Sequence, residues 1–204
     1  MLFDVDGTLV SCGGAGRAAM EGALAELAGS ADALAFSFAG GTDRAIARRA
    51  LEGVGRVADD AAIDAFLARY LARLPDALAA SERYRVLDGV GAALDALEGR
   101  EGLALGLGTG NVEAGARAKL TRGGLSQRFA FGGFGCDHEE RARLLTAGAG
   151  RRVVVGPRRR ASAPPCASAT PARCCSRWRR PSRRWRAGRS ASRPGAATAR
   201  RTST

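Results

Sequence analysis

The stretch that decides the fold lies close to the N-terminus and reads Asp4-Val5-Asp6-Gly7-Thr8-Leu9-Val10. It follows a short apolar run, Met1-Leu2-Phe3, which predicts a β-strand. Because side chains alternate along a strand, Asp4 and Asp6 should point in the same direction. At the carboxyl edge of a parallel sheet, where open α/β folds bind ligands, they would form a pair of adjacent carboxylates.

Two adjacent carboxylates resist ionisation unless a cation lies between them. Mg²⁺ prefers hard oxygen ligands and pairs with phosphate, so Asp4 and Asp6 predict a magnesium site. An ordinary turn at the end of a strand would use the same residue types, since Asp and Gly are common turn formers. The complete pattern from Asp4 to Val10 favours the functional interpretation over the turn.

The rest of the chain alternates between apolar patterns of two kinds. From Ala19 to Leu74 the spacing is helical, and Thr42-Asp43 is placed to cap a helix that runs through Ile46 to Leu51. After that come, in order, a predicted helix at 90–97, a strand at 103–107, a helix at 112–120, a strand at 129–131, a helix at 139–145 and a strand at 152–155. Strands that alternate with helices predict an α/β fold with a doubly wound, parallel, Rossmann-like sheet.

A second polar cluster lies between a predicted strand and a predicted helix, at Gly108-Thr109-Gly110-Asn111. The Thr109 hydroxyl and the free N–H groups at the start of the helix would face an anion there. Gly110 and Asn111 belong to the same turn and are predicted to bind substrate. The order of the two clusters, with a helical block between them, makes a phosphate site a more specific prediction than either cluster does alone.

These motifs resemble those of the haloacid dehalogenase superfamily, in its phosphatase branch. The segment from Phe131 to His138 is similar to one common in phosphoglycolate-phosphatase-like members. The resemblance implies that Asp4 is the nucleophile that forms an aspartyl-phosphate and that Asp6 is the general acid and base. It also implies that Thr109 binds the phosphoryl group. The dehalogenase and phosphonate-cleaving branches lack the second Asp of the motif and fit less well.

The same family uses a cation to steady the aspartyl-phosphate, and two residues compete for that role. Lys119 is the only lysine among 32 basic residues, but it lies well inside its predicted helix. Arg141 lies near the start of the next helix, after a loop at the same sheet edge. An ordinary solvated charge is the alternative for each.

The resemblance also defines a domain organisation. Residues 1–14 and 86–155 form the α/β core, which is incomplete at its C-terminal end, and residues 15–85 form a small helical cap that selects substrate. Within the cap, Thr42 and Asp43 belong to a loop that is expected to face the substrate. The implied reaction is Mg²⁺-dependent hydrolysis of a small phosphorylated metabolite, and no feature of the sequence defines an oligomeric state. An alternative to the cap is a plain helical subdomain that only shields the core.

Composition excludes some classes of protein. The chain has 204 residues, and no apolar run is long enough for a transmembrane helix, so no membrane partner is expected. There is no signal-peptide pattern, and the cysteines show no metal-ligand spacing, which together predict reduced thiols and a cytoplasmic location.

The charge of the chain changes sign near Gly150. Residues 1–150 carry 15 Arg and one Lys against all 20 acidic residues, whereas residues 151–204 carry 16 Arg and no acid. From Gly156 onward the only large apolar side chains are Trp178 and Trp185. Residues 156–204 are therefore predicted to be a disordered, Arg-rich tail.

The tail begins where the family's last acidic motif should follow the predicted strand at 152–155. The sequence there reads Gly156-Pro157-Arg158-Arg159-Arg160, which cannot ligate Mg²⁺, so we expect little or no phosphatase activity from this chain. Three interpretations compete. The favoured one is a shifted reading frame; the others are an Arg-rich arm that binds nucleic acid through phosphate charge without reading its sequence, and a solvated tail without a partner.

A shifted frame makes a prediction at the level of the gene. Translation of the other two frames downstream of Val155 should restore a Gly-Asp pair followed by apolar, core-forming segments. Resequencing this region and translating it in all frames is the measurement. If neither frame yields such a segment, the frame interpretation is wrong.

Overall fold

The computed structural model describes residues 1–151. The predicted strand at 152–155 and the Arg-rich tail lie outside the described residues. Within residues 1–151 no helix is both long and apolar enough to cross a bilayer.

A parallel sheet of three short strands confirms the predicted α/β class. The strands are β1 (Leu2–Phe3), a central β4 (Gly106–Gly108) and β5 (Gly132–Gly133). Both neighbouring pairs are parallel, with Leu2 opposite Gly106 and Leu107 opposite Gly132. The carboxyl ends of all three strands therefore meet at one edge of the sheet.

Helices connect these strands, as expected for parallel pairing. Between β4 and β5 lies α5 (Glu113–Arg122), after β5 comes α6 (Arg141–Arg151), and α4 (Val90–Leu97) precedes β4. The side chains of Leu94, Leu107 and Leu120 are fully buried in the same apolar cluster, which joins these helices to the sheet.

A block of three helices, which we call the inserted helices, separates β1 from the rest of the core. They are α1 (Ala15–Ala28), α2 (Asp43–Gly53) and α3 (Asp60–Ala80). Two strands, β2 (Val10–Ser11) and β3 (Arg85–Val86), pair antiparallel at the two ends of this block. The chain thus leaves the core and returns to it along one two-stranded ribbon.

The cap predicted for α2 is confirmed: the Thr42 hydroxyl oxygen accepts from the N–H of Ala45 at 3.3 Å. Within the inserted helices the buried face of α3 follows the helical spacing of the sequence. Its buried side chains are Ile63, Phe66, Leu67, Tyr70, Leu74 and Leu78.

Four element boundaries differ from those predicted. The strand expected at 103–107 is β4, Gly106–Gly108, and the helix expected at 112–120 is α5, Glu113–Arg122. The strand expected at 129–131 is shifted to β5, because the aromatic run packs its side chains while the glycines after it form the ladder; Phe129 lies against Phe3 with ring centroids 5.9 Å apart. The helix expected at 139–145 instead spans Arg141–Arg151.

Glycines allow α6 to lie directly against β5. A Cβ at Gly133 would collide with the carbonyl oxygen of Leu144, and one at Gly148 would collide with the backbone nitrogen of Gly133. Gly150 lies in the same helix with nothing within 4 Å of an added Cβ. The position of α6 therefore depends on Gly148 but not on Gly150.

This contrast predicts opposite effects of two alanine substitutions. Gly148→Ala should lower the free energy of unfolding by about 1–3 kcal/mol, because the added methyl group forces α6 away from β5. Gly150→Ala should raise it by about 0.5–1 kcal/mol through helix propensity alone. Urea unfolding of both variants is the measurement, and equal effects would contradict the packing described here.

Candidate active site

The predicted site residues gather at the carboxyl edge of the parallel sheet. Asp4 and Asp6 follow β1, and Thr109 follows β4. Strand β4 is hydrogen-bonded to β1. The N–H of Thr109 donates to the carbonyl oxygen of Gly133 at 3.0 Å, which aligns this edge with the end of β5. Residues far apart in sequence thus reach one place because parallel strands end together.

Arg141 pairs with Asp4. Its guanidinium donates to Oδ2 of Asp4, while the N–H of Val5 donates to Oδ1 at 2.8 Å. Arg141 is the first residue of α6, so the close packing of α6 on the sheet places this side chain. Both side chains remain partly open to solvent, at 38% for Arg141 and 30% for Asp4.

Lys119 pairs with Asp6. Its ammonium donates to both carboxylate oxygens, at 3.0 and 2.8 Å, and to Oδ1 of Asn111 at 2.6 Å. The amide nitrogen of Asn111 in turn donates to Oδ2 of Asp6 at 2.6 Å. The side chain of Lys119 reaches this point because helical side chains lean toward the N-terminus of their helix. The two residues that competed for one cationic role therefore both lie at the acid pair, one on each carboxylate.

Burial and charge act against each other in this cluster. Burial opposes ionisation of Asp6, yet the charge of Lys119 and the hydrogen bonds from Lys119 and Asn111 hold the pKa of Asp6 below its usual value. Burial likewise favours neutral Lys119, but the carboxylates of Asp6 and Asp43 raise its pKa. Both groups are therefore charged at neutral pH, and the pair forms a salt bridge.

Thr109 and Asn111 form a hydrogen-bonded turn next to Asp6. The amide nitrogen of Asn111 donates to Oγ1 of Thr109 at 2.8 Å, and the backbone N–H of Asn111 lies 3.3 Å from the same oxygen. Thr109 is fully buried. Since Oγ1 acts as an acceptor in both bonds, neither of them uses the hydroxyl proton.

Gly110, Thr42 and Asp43 form a contact between the inserted helices and this turn. The N–H of Asp43 donates to the carbonyl oxygen of Gly110 at 2.8 Å, and its Oδ2 accepts from the N–H of Val112 at 2.9 Å. Thr42 donates to the carbonyl oxygen of Glu139 at 3.2 Å. The side chains of Thr42 and Asp43 are buried and form hydrogen bonds with the core. Their role in substrate binding stays a prediction.

Sequence reasoning missed three residues around this cluster. Arg48 of α2 forms an ion pair with Glu139 at 2.7 Å, beside the Thr42 contact. The thiol of Cys12 is hydrogen-bonded to Asp6, and burial raises its pKa to about 12. The position of Cys12 directly after β2 is the one signal that could have placed it near the acids.

The donor set fits Mg²⁺ in kind. Asp4 and Asp6 offer hard oxygen ligands, and Mg²⁺ is commonly held by one or two carboxylates together with phosphate oxygens and water. Among residues 1–151 no group of three or more His, Cys, Asp or Glu side chains is arranged to hold a metal ion.

Known proteins with a similar sequence or fold are few for this chain. No family model matches the chain, and no curated protein matches it. One solved structure that it resembles is that of a predicted phosphoglycolate phosphatase from Haemophilus somnus, at 19% identity and a TM-score of 0.45. The match covers 63% of this chain and 58% of that one, so the chain spans less than two thirds of its length. A likeness of this size shows neither a family nor an activity.

The buried Asp43 predicts a pH dependence of stability. Burial raises its pKa from 3.8 to about 6, although Lys119 and the N–H of Val112 oppose the shift. The folded chain therefore binds this proton more tightly than the unfolded chain. As the pH rises from about 4 to about 6, the free energy of unfolding falls by on the order of 3 kcal/mol.

Asp43→Asn should lack this loss, because the amide does not ionise. Relative to the unsubstituted chain, its free energy of unfolding should rise between about pH 4 and about pH 7. Urea unfolding of both proteins at the two pH values measures the difference. A difference between the two proteins that stays constant with pH would contradict the assignment.

Proposed function

We propose that this chain carries a Mg²⁺-dependent phosphomonoesterase site of the haloacid dehalogenase type, which acts on a small phosphorylated metabolite. The observation that supports it is that the two carboxylates after β1 each pair with a separate cation at the carboxyl edge of a parallel sheet. Asp4 has Arg141 and Asp6 has Lys119, and Thr109 is linked to Asp6 through the side chain of Asn111. Such a set supplies a nucleophile, a proton carrier and positive charge for an incoming phosphoryl group.

The reaction proceeds in two displacements. A carboxylate oxygen of Asp4 attacks phosphorus, the bond from phosphorus to the ester oxygen breaks, and Asp6 gives a proton to the leaving oxygen. Asp6 then takes a proton from water, whose oxygen attacks phosphorus and breaks the bond to Asp4. The products are the free alcohol and inorganic phosphate.

The charge around Asp6 must change during this cycle. In the structure Lys119 keeps Asp6 ionised, which suits the second step but not the first. A bound phosphoryl group adds negative charge beside Asp6 and shares the ammonium of Lys119, so it raises the pKa of Asp6 toward the range of a general acid. The hydroxyl group of Thr109 donates a hydrogen bond to a phosphoryl oxygen.

Asp4 would hold Mg²⁺ through its carboxylate and Asp6 through its backbone carbonyl oxygen, because the Asp6 carboxyl group has to be free to carry the proton. Bound Mg²⁺ would neutralise charge on the phosphoryl oxygens. In the structure Oδ2 of Asp4 is bonded to Arg141 and Oδ1 accepts from the N–H of Val5, so a metal at Asp4 would compete with these contacts. No acidic residue follows Glu140 in the sequence to add a further ligand. Weak metal binding and slow turnover are the consequence.

The reduced thiol at Cys12 is in keeping with a cytoplasmic enzyme.

A second candidate is a non-catalytic protein that binds nucleic acid on a remnant of this scaffold. The observation that favours it is the run of 16 Arg without any acid in residues 151–204. Such charge binds phosphate backbones without reading sequence, and binding of this kind weakens steeply as salt rises.

Hydrolysis of p-nitrophenyl phosphate by the full chain, with and without Mg²⁺, separates the two candidates. We expect weak, Mg²⁺-dependent turnover that Asp4→Asn abolishes, because the amide oxygen is a poor nucleophile. Asp32→Asn, a carboxylate outside the site, is the matched control and should retain the rate. Turnover equal in the full chain and in Asp4→Asn would overturn the phosphatase in favour of the second candidate. Robust turnover lost in Asp4→Asn would instead overturn the expected impairment.

A further inference from the structure

The turn of Thr109, Gly110 and Asn111, which we call the 109–111 loop, contains groups that orient Asp6 and Lys119. The side chain of Asn111 bonds to three partners in the cluster: Asp6, Lys119 and Thr109. A small rotation of this loop would therefore break several contacts at once. What holds the loop in place bears directly on the proposed chemistry.

A residue of the inserted helices holds this loop from outside the core. Asp43, the first residue of α2, donates its N–H to Gly110 at 2.8 Å and accepts from the N–H of Val112 at 2.9 Å. These two bonds bracket Asn111 on both sides. Asp43 is 6% exposed, so water does not compete for them.

The two segments approach so closely that only glycine fits. A Cβ at Gly110 would collide with the carbonyl oxygen of Gly41 and would lie 3.1 Å from Cα of Thr42. On the far side of the loop, the N–H of Gly135 donates to the carbonyl oxygen of Asn111 at 2.8 Å. The 109–111 loop is thus clamped between the start of α2 and the segment that follows β5.

We propose that Asp43 is a positioning residue, which holds the 109–111 loop so that Asn111 and Thr109 meet the phosphoryl group in a preformed arrangement. The inference rests on the proposed function. It makes the start of α2 a structural part of the phosphate site. Among residues 1–151, Asp43 forms no hydrogen bond with Asp4 or Asp6, so it acts through the 109–111 loop. A preformed arrangement of donors binds an anion more tightly, because no ordering is needed on binding.

The test uses the full chain, Asp43→Ala, Asp43→Asn and a matched control, Asp59→Ala. Asp59 caps α3 by accepting from the N–H of Ala62 at 2.8 Å, so its removal deletes the same kind of bond elsewhere in the inserted helices. Amide hydrogen exchange of residues 109–113 reports how firmly the loop is held. Calorimetric titration with inorganic phosphate in the presence of Mg²⁺ reports its effect on anion binding.

We expect Asp43→Ala to raise the exchange rate of residues 109–113 and to weaken phosphate binding, each by about tenfold. Asp43→Asn keeps an oxygen acceptor for Val112 and should restore both to within about threefold of the unsubstituted chain. Asp59→Ala should change neither. If Asp43→Ala does not fold, Gly110→Ala replaces it, because its Cβ pushes the two segments apart while Asp43 stays intact.

The outcomes are separable. Equal phosphate affinity in the unsubstituted chain and in Asp43→Ala would overturn the inference alone. An Asp43→Asn variant as weak as Asp43→Ala would overturn it as well, since charge rather than position would then matter. Absence of phosphate binding by the unsubstituted chain would overturn the proposed function and, with it, the role given to Asp43.

Discussion

The buried ammonium of Lys119 is the constraint on which the rest of the site depends. A charge with so little exposure is tolerated only when its partners are fixed around it. The partners are Asp6 from the end of β1 and Asn111 from the turn after β4, so α5 is tied to two strands. The start of α1 also lies close to it: a Cβ at Gly16 would be in ordinary van der Waals contact with the ammonium nitrogen, at 3.4 Å.

Close backbone approach through glycine is the second organising feature. Gly110 lies against Gly41, Gly135 lies against Gly110, and Gly148 lies against Gly133. Each contact brings a segment distant in sequence within reach of the carboxyl edge of the sheet. The acid pair therefore depends on backbone packing as much as on the charged side chains that surround it.

Much of this could be predicted from the sequence, because the decisive signals are local. The spacing of Asp4 and Asp6 after an apolar run defines a strand end, and a Thr-Gly-Asn turn before a helix defines a second one. The shift of the strand after Phe131 could not be predicted, since two glycines carry no apolar pattern and form a ladder only because α6 packs on them. The contacts of Asp43 and Glu139 could not be predicted either, because they join segments that are distant in sequence and share no periodic pattern.

The ribbon of β2 and β3 has a consequence for how the chain folds. β1 and β4 pair across about 100 residues, and closing so long a loop is entropically costly. Once Val10 pairs with Val86, the effective loop between β1 and β4 shrinks to about 30 residues, and the closure cost falls by about 1 kcal/mol. Closing the ribbon itself costs the entropy of the long insertion, so the ribbon carries most of that cost and leaves only a short effective loop for the parallel sheet to close.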